Sequence, residues 1–244
     1  MPFTAKSGKF NASINTVEFG TGDKAVKIGG ENVFPLYSFD AAIENAPKVG
    51  IEITDFGMEH EPECIKKYYE GCATLADMAR KAASMEGVDF LSFRMEGGDP
   101  NGANKSTEEL IGELKEIADA VDLPLVVCGC KNVEKDAELF SKAAEALNGK
   151  NAVILSAKEE NYKTVGAAAG LAYKQVVGAE SAVDINLAKQ MNVLLTQLGV
   201  KQDNIVMNVG CSAVGYGYEY VVSTMDRIKG AALSQNDNML QMPI

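Results

Sequence analysis

Short β-rich apolar runs alternate along this chain with longer amphipathic segments, and the polar residues able to do chemistry collect where each run stops. The runs occupy residues 26–28, 49–53, 88–93, 125–128, 152–155, 175–177, 204–208 and 239–244, with a helical pattern between most successive pairs. Eight β units separated by helices predict an α/β fold of the TIM (β/α)₈ barrel type, whose sites sit on the face where the strands end. The length of 244 residues suits one such domain, 1–244, with the barrel over about 26–244. Ahead of it, residues 9–27 alternate around Thr21-Gly22-Asp23, the pattern of a β-hairpin able to plug the amino-terminal end of the barrel.

Composition narrows the function. A formal net charge of −11 argues against nucleic acid, because phosphate binding rests on Lys and Arg and is opposed by a negative field. No stretch reaches the ~18 apolar residues of a membrane span, and the amino terminus lacks a basic-then-apolar signal pattern. The five cysteines are odd in number and follow no disulfide framework, so the expectation is a cytoplasmic protein away from membranes.

Local signals place several helices. Ser106-Thr107-Glu108-Glu109 has the form of a capping box, and Leu110, Ile111, Leu114, Ile117, Ala118 and Val121 then recur at helical spacing. Asn132 can cap the next helix, with Val133, Ala137, Phe140, Ala144 and Leu147 as its buried stripe and Asn148-Gly149 as its stop. From Ile185 a third stripe of Ala188, Met191, Leu195 and Leu198 ends at Gly199.

The strand ends carry Glu52-Ile53-Thr54-Asp55, the stretch from Arg94 to Pro100, Lys158-Glu159-Glu160-Asn161-Tyr162, Asp184-Ile185-Asn186, and Asn208-Val209-Gly210 followed by Gly215-Tyr216-Gly217-Tyr218-Glu219-Tyr220. This ring of carboxylates, amides and Gly-rich turns holds almost no histidine. It suits a large planar ligand with many amide and carbonyl groups better than acid/base work at neutral pH. The candidate cofactor-binding residues are Asp99, Asn104, Asn161, Asp184, Asn186, Gly215, Tyr216 and Gly217; no residue is assigned a catalytic or metal-binding role. Each also has a plainer reading. Asp184 and Asn186 suit a helix cap, Asn161 and Tyr162 a turn, and Gly215-Tyr216-Gly217 a tight bend. His60, in Glu59-His60-Glu61-Pro62-Glu63-Cys64, reads as a solvated acidic loop, since no second histidine exists to complete a zinc set. Cys128 and Cys130 read as small buried hydrophobes.

Several of these stretches together resemble one family. Gly97-Gly98-Asp99-Pro100-Asn101-Gly102-Ala103-Asn104, Pro124-Leu125-Val126-Val127 through Val133-Glu134-Lys135-Asp136, Glu160-Asn161-Tyr162-Lys163, Asp184-Ile185-Asn186 and Gly215-Tyr216-Gly217 with Glu219-Tyr220 are similar to the small subunit of the corrinoid iron-sulfur protein. Gly29-Gly30 and Pro35 fit it too. The chain departs from the family at Phe34-Pro35-Leu36-Tyr37-Ser38-Phe39, which lacks the histidines of some relatives, and at Asn208-Val209-Gly210-Cys211-Ser212, where an acidic residue is common.

The resemblance implies a TIM barrel paired with a large corrinoid iron-sulfur subunit in the acetyl-CoA (Wood-Ljungdahl) pathway of anaerobes. It implies a methyl carrier whose corrinoid (cobamide) cobalt takes a methyl group from methyltetrahydrofolate, through a methyltransferase, and passes it to acetyl-CoA synthase/CO dehydrogenase. The corrinoid would be shared with the large subunit, and the 4Fe-4S cluster would sit on that subunit. Consistently, Cys128-Gly129-Cys130 is a lone C-x-C without the repeated C-x₂-C of a cluster site. Two other classes stay open from the residues: a free-standing pterin-dependent methyltransferase using Asp99, Asp184 and Asn186, and a Schiff-base lyase using Lys131 or Lys158. At the other end, residues 239–244 read as the start of an eighth strand pairing with the first, with the closing helix absent and its place expected to be taken by further chain or by a partner.

Overall fold

The computed structural model describes residues 8–34, 37 and 39–244; Pro35 and the rest of its motif at 36 and 38 lie outside the described residues. The chain opens with a hairpin of β1 (Thr16–Phe19) and β2 (Val26–Gly29), paired antiparallel with Thr16 opposite Gly29 and Phe19 opposite Val26. A short 3₁₀ turn, Gly22–Lys24, joins them where the Thr21-Gly22-Asp23 signal falls. Six parallel strands then follow in chain order: β3 (Gly50–Thr54), β4 (Phe90–Arg94), β5 (Leu125–Cys128), β6 (Val153–Ala157), β7 (Val176–Glu180) and β8 (Ile205–Asn208). Each hydrogen-bonds to the next, and the ladder stops at β3 on one side and β8 on the other.

Two expected barrel strands are absent from this sheet. Residues 26–28 belong to the hairpin, and the left-handed backbone at Gly29 (φ 82°) and Gly30 (φ 87°) turns the chain away as soon as β2 ends. At the other end, residues 239–244 begin as a 3₁₀ turn, Asn238–Leu240, and make isolated bonds only. The amide of Asn15 donates to the Gln241 carbonyl (2.6 Å) and that of Met207 to the Pro243 carbonyl (2.7 Å). Period-2 alternation reports a half-buried extended segment and not which strand it joins.

Helices α1 (Glu63–Tyr68), α2 (Leu75–Ala83), α3 (Thr107–Ala120), α4 (Val133–Ala146), α5 (Tyr162–Val165) and α6 (Ile185–Leu198) connect the strands, and α7 (Tyr218–Ser234) follows β8. Their apolar stripes meet one face of the sheet, where Leu91, Phe93, Val127, Ile154, Val177 and Ile205 are buried against residues such as Leu114, Phe140, Met191 and Ile228. The caps fall where the sequence puts them, although the bond from Ser106 N–H to the Glu109 side chain that would complete the capping box is not made. Ser106 accepts from the Glu109 amide (3.2 Å), Asn132 from that of Lys135 (3.0 Å), and Gly199 closes α6 in a left-handed conformation (φ 109°). After α5 the chain continues as a π-helical turn, Gly166–Ala172, in a Gly/Ala-rich stretch with no amphipathic stripe to announce it.

The opposite face of the sheet is partly covered by the hairpin. Val17, Phe19 and Val26 pack on Val126, Val153, Val176 and Val206. Asn151, just before β6, donates from Nδ2 to the carbonyls of Glu18 (3.0 Å) and Gly20 (3.3 Å). The hairpin therefore plugs the amino-terminal end of the strands, as the sequence suggests. Above it this face bounds a cavity of about 780 Å³ lined by Phe90, Val126, Val153, Leu155 and Val206. Four charged groups on its wall are paired with one another, Arg94 clasping Glu52 through Nε (2.9 Å) and Nη2 (2.8 Å) and Lys229 bonding Glu31, and Lys48 pairs with Asp89 (3.6 Å). No helix among the described residues is long and apolar enough to cross a membrane.

Candidate functional site

All the polar stretches singled out above leave the same edge of the sheet, because parallel strands joined by helical crossovers bring every strand terminus to one side. The loop after β4 closes on itself. Gly97 and Lys105 are joined by the Lys105 amide donating to the Gly97 carbonyl (2.8 Å), and the Asp99 carbonyl accepts from the amides of Gly102 (2.9 Å) and Asn104 (3.1 Å). Asp99 is half-buried, its Oδ1 accepting from the Asn101 amide (2.9 Å) in an Asx turn. Asn104 is exposed and holds φ 52°, a conformation asparagine tolerates better than most side chains.

Asn161 has a structural assignment. It is buried, accepts from the Lys158 amide through Oδ1 (2.8 Å) and donates from Nδ2 to the Val133 carbonyl (3.2 Å), so it ties the end of β6 to the start of α4. Asp184 is the N-cap of α6, its Oδ1 accepting from the amides of Asn186 (2.8 Å) and Leu187 (3.2 Å), and the Asn186 side chain is exposed beside it. Ahead of the cap, Ala182 (φ 41°) and Val183 (φ 59°) are both left-handed, unfavourable for a β-branched residue and held there by its neighbours. The Val183 amide donates to the Val209 carbonyl (2.8 Å), and its carbonyl accepts from Thr224 Oγ1 (3.2 Å) on α7.

Those two bonds tie the loop after β7 to the start of the loop after β8 and to α7, the helix that Gly215-Tyr216-Gly217 precedes. Gly215 (φ 78°) and Gly217 (φ 110°) supply left-handed turns before α7, and Gly217 is its N-cap without a side-chain bond. Tyr216 is 87% exposed, Val214 86% and Tyr220 67%, so this rim is open and aromatic, the most exposed of the large apolar side chains being here and at Phe39 (73%). Asp99 and Asn104 stand apart from that pair of loops, since β5 and β6 lie between β4 and β7.

Residues outside the candidate set organise the same edge. Asp55 is buried and its carboxylate takes the Gly97 amide on both oxygens (2.9 and 3.1 Å) and an ion pair from Lys105 (3.0 Å). Asp136 accepts from the Cys130 amide (2.7 Å) and thiol (3.2 Å). Burial pushes the Asp136 carboxyl above the usual carboxylate range, and it pushes the Cys130 thiol up to about 11. Burial likewise raises the Cys128 thiol, which lies 3.5 Å from Ser92 Oγ. Neither thiol is a nucleophile at neutral pH. Asn208, at the end of β8, donates to Ser156 on β6 (2.7 Å), reaching across β7. Position at a strand end was the only sequence signal for Asp55 and Asn208. Their partners lie 42 residues away for Asp55–Gly97 and 52 for Asn208–Ser156.

Among the described residues no three His, Cys, Asp or Glu side chains converge on a point that could hold a metal ion, and His60 is exposed against the Phe56 ring (4.9 Å). Lys158 is paired with Glu180 (3.7 Å). The strand ends thus carry an open rim of amides, carboxylates and tyrosines on a parallel α/β scaffold.

Comparison with known proteins gives that class a family. Residues 16–244 match the model of the CO dehydrogenase/acetyl-CoA synthase delta subunit. The chain is 32% identical over 238 residues to the acetyl-CoA decarbonylase/synthase complex subunit delta of Methanothermobacter thermautotrophicus, covering 96% of this chain and 60% of that one. It is 33% identical over 227 residues to the subunit of the same name from Methanopyrus kandleri (92% and 56%) and 30% identical over 244 to that of Methanocaldococcus jannaschii (97% and 59%). The chain belongs to this delta subunit family, that of the corrinoid iron-sulfur protein small subunit. It spans between half and three-fifths of the length of the curated relatives it matches.

Proposed function

We propose that this chain is the small subunit of a corrinoid iron-sulfur protein, a methyl carrier between a methyltetrahydrofolate methyltransferase and acetyl-CoA synthase/CO dehydrogenase. On this reading the six-stranded sheet is the arc of one TIM-barrel domain, and the protein works in the cytoplasm of an anaerobe beside a large subunit that carries the 4Fe-4S cluster. The observation that carries it is the open rim. Val214, Tyr216 and Tyr220 present apolar and aromatic surface at the strand ends, and the bonds of Val183 tie the loop that carries Asp184 and Asn186 to Val209 and to Thr224, on the same helix as Tyr220. An exposed patch of this kind marks an interaction surface. Its high exposure fits one face of a planar macrocycle whose other face a second subunit holds.

When bound, the corrinoid supplies a cobalt centre that accepts and releases a methyl group. This chain's part is to cover and orient. Tyr216 and Tyr220 would exclude water from the covered face, Asn104 and Asn186 would bond to the amide groups at the macrocycle's edge, and Asp99 would accept from them. Co-expression with a larger Cys-rich partner tests the reading: the pair should co-purify as a red-brown, cobalt-containing complex, and this chain alone should be colourless. Tight methyltetrahydrofolate binding by the isolated chain, with no partner retained, would instead favour a free-standing pterin-dependent methyltransferase.

A further inference from the structure

The loop 97–105, which carries Asp99 and Asn104, is held from beneath by a buried ionic anchor that has no other evident task. Asp55 leaves the end of β3 with its side chain fully buried, and both its oxygens accept from the Gly97 amide. The approach is so close that a Cβ on Gly97 would collide with the Asp55 carboxylate, so the loop can seat here only with glycine at that position. Lys105, at the other end of the loop, returns to the same point. Its ammonium meets Asp55 Oδ2 (3.0 Å), the Asp55 carbonyl (2.8 Å) and Glu113 Oε1 on α3 (3.3 Å), over the Phe56 ring. An ammonium has three donors, and three acceptors of this chain occupy them. Lys105 is thus a tether and not a ligand-binding lysine, although it sits in the most polar loop of the rim.

We infer that Asp55 and Lys105 are positioning residues: they clamp both ends of the 97–105 loop to the end of β3 and thereby fix Asp99 and Asn104 on the rim. The inference rests on the proposed role of that rim. The clamp is specific in its chemistry. An asparagine at 55 would place an amide donor where the Gly97 amide and the Lys105 ammonium already point donors, so the isosteric change breaks it. A methionine at 105 keeps the apolar stem against Phe56 and deletes the charge.

The test compares Asp55→Asn, Lys105→Met, Asp99→Ala and the Asp55→Asn/Asp99→Ala double variant, each as the full chain in complex with its corrinoid partner. Two readouts are taken: hydrogen exchange of the 97–105 amides, and the rate constant of methyl transfer separated from the affinity for the partner. The expected result is that Asp55→Asn and Lys105→Met speed exchange of the Gly102 and Asn104 amides by about tenfold or more while leaving β4–β8 unchanged. They should also slow transfer as Asp99→Ala does, with the double variant no slower than Asp99→Ala alone, because both changes remove one contribution. A loosened loop with undiminished transfer, while Asp99→Ala slows it, overturns the positioning role and leaves the rim reading standing. An Asp99→Ala variant with normal transfer removes the rim reading at that loop and the inference with it. Should Asp55→Asn fail to fold, Lys105→Met carries the same decision, since it leaves the Asp55–Gly97 bonds in place.

Discussion

Cys130 shows how one residue's surroundings decide its chemistry. Its thiol is buried against Asp136 and pushed up to about 11, whereas Cys64 and Cys211 are exposed. Reactivity follows the thiolate, so iodoacetamide at pH 8 should label Cys64 and Cys211 in the folded chain and spare Cys128 and Cys130, as peptide mass spectrometry would read. Rapid labelling of Cys130 would contradict its placement. The same raised value links stability to pH. The unfolded thiol ionises near 9.0 and the folded one near 11, so the stabilisation is complete below pH 9 and is lost as pH climbs from 9 to 11. The slope expected from this group is about 1.4 kcal/mol per pH unit at most. Urea midpoints measured for the parent chain and for Cys130→Ser between pH 8 and 11 isolate it, because the hydroxyl does not titrate there. At this scale the sequence was informative about burial: Cys128 and Cys130 lie where small hydrophobes were expected. It was silent about Asp136, whose role depends on a carboxylate reaching back to the loop ahead of its own helix.

Among the elements, those whose signals are local were legible. Helices α3, α4 and α6 announce themselves by cap, stripe and stop within one stretch of chain, and the structure reproduces all three within a residue or two. The π-helical turn Gly166–Ala172 was not, because what defines it is contact with distant segments. At Gly170 a Cβ would stand 2.7 Å from Val200 Cγ2 and 3.1 Å from Cγ1, so this turn is seated against the residue that follows α6. Gly170→Ala should therefore destabilise the chain by about 1–3 kcal/mol through overpacking, despite alanine's better helix propensity. An unchanged or raised melting temperature would show that the turn has room to shift. The cap of α6 gives an independent check. Asp184 Oδ1 is committed to the amides of Asn186 and Leu187, so Asp184→Ala should cost about 1 kcal/mol in urea unfolding. Asn186→Ala, which removes no cap, should leave the midpoint in place. A rim role for the pair then has to show itself in Asn186→Ala as slowed methyl transfer at unaltered stability.

For the molecule as a whole, the strands' shared direction made the location of the site readable before its contents were. Apolar runs followed by polar loops were sufficient to place Asp99, Asn104, Asp184, Asn186 and Gly215-Tyr216-Gly217 on one edge. They could not separate Asn161, which bonds inward, from residues that face out, since a buried amide and an exposed one look alike in sequence. The opposite end is closed by the hairpin, and there the packing is apolar and long-range. Phe19 is 3% exposed, lies edge-on to Phe90 with ring centroids 5.8 Å apart, and forms the floor of the cavity with Val126, Val153 and Val206. Its removal would leave a void that the β-branched wall residues, each with a stiff χ1, are poorly placed to refill. Phe19→Ala should thus lower stability by about 3–5 kcal/mol, the range for truncating a buried phenylalanine, whereas Asn151→Ala should loosen the hairpin alone by freeing the carbonyls of Glu18 and Gly20. Hydrogen exchange separates the two outcomes. In Asn151→Ala the amides of β1 and β2 should exchange faster while those of β4–β7 keep their protection, and in Phe19→Ala both sets should lose protection together. A Phe19→Ala chain that keeps its urea midpoint would mean that the hairpin merely lies against the sheet and does not close it.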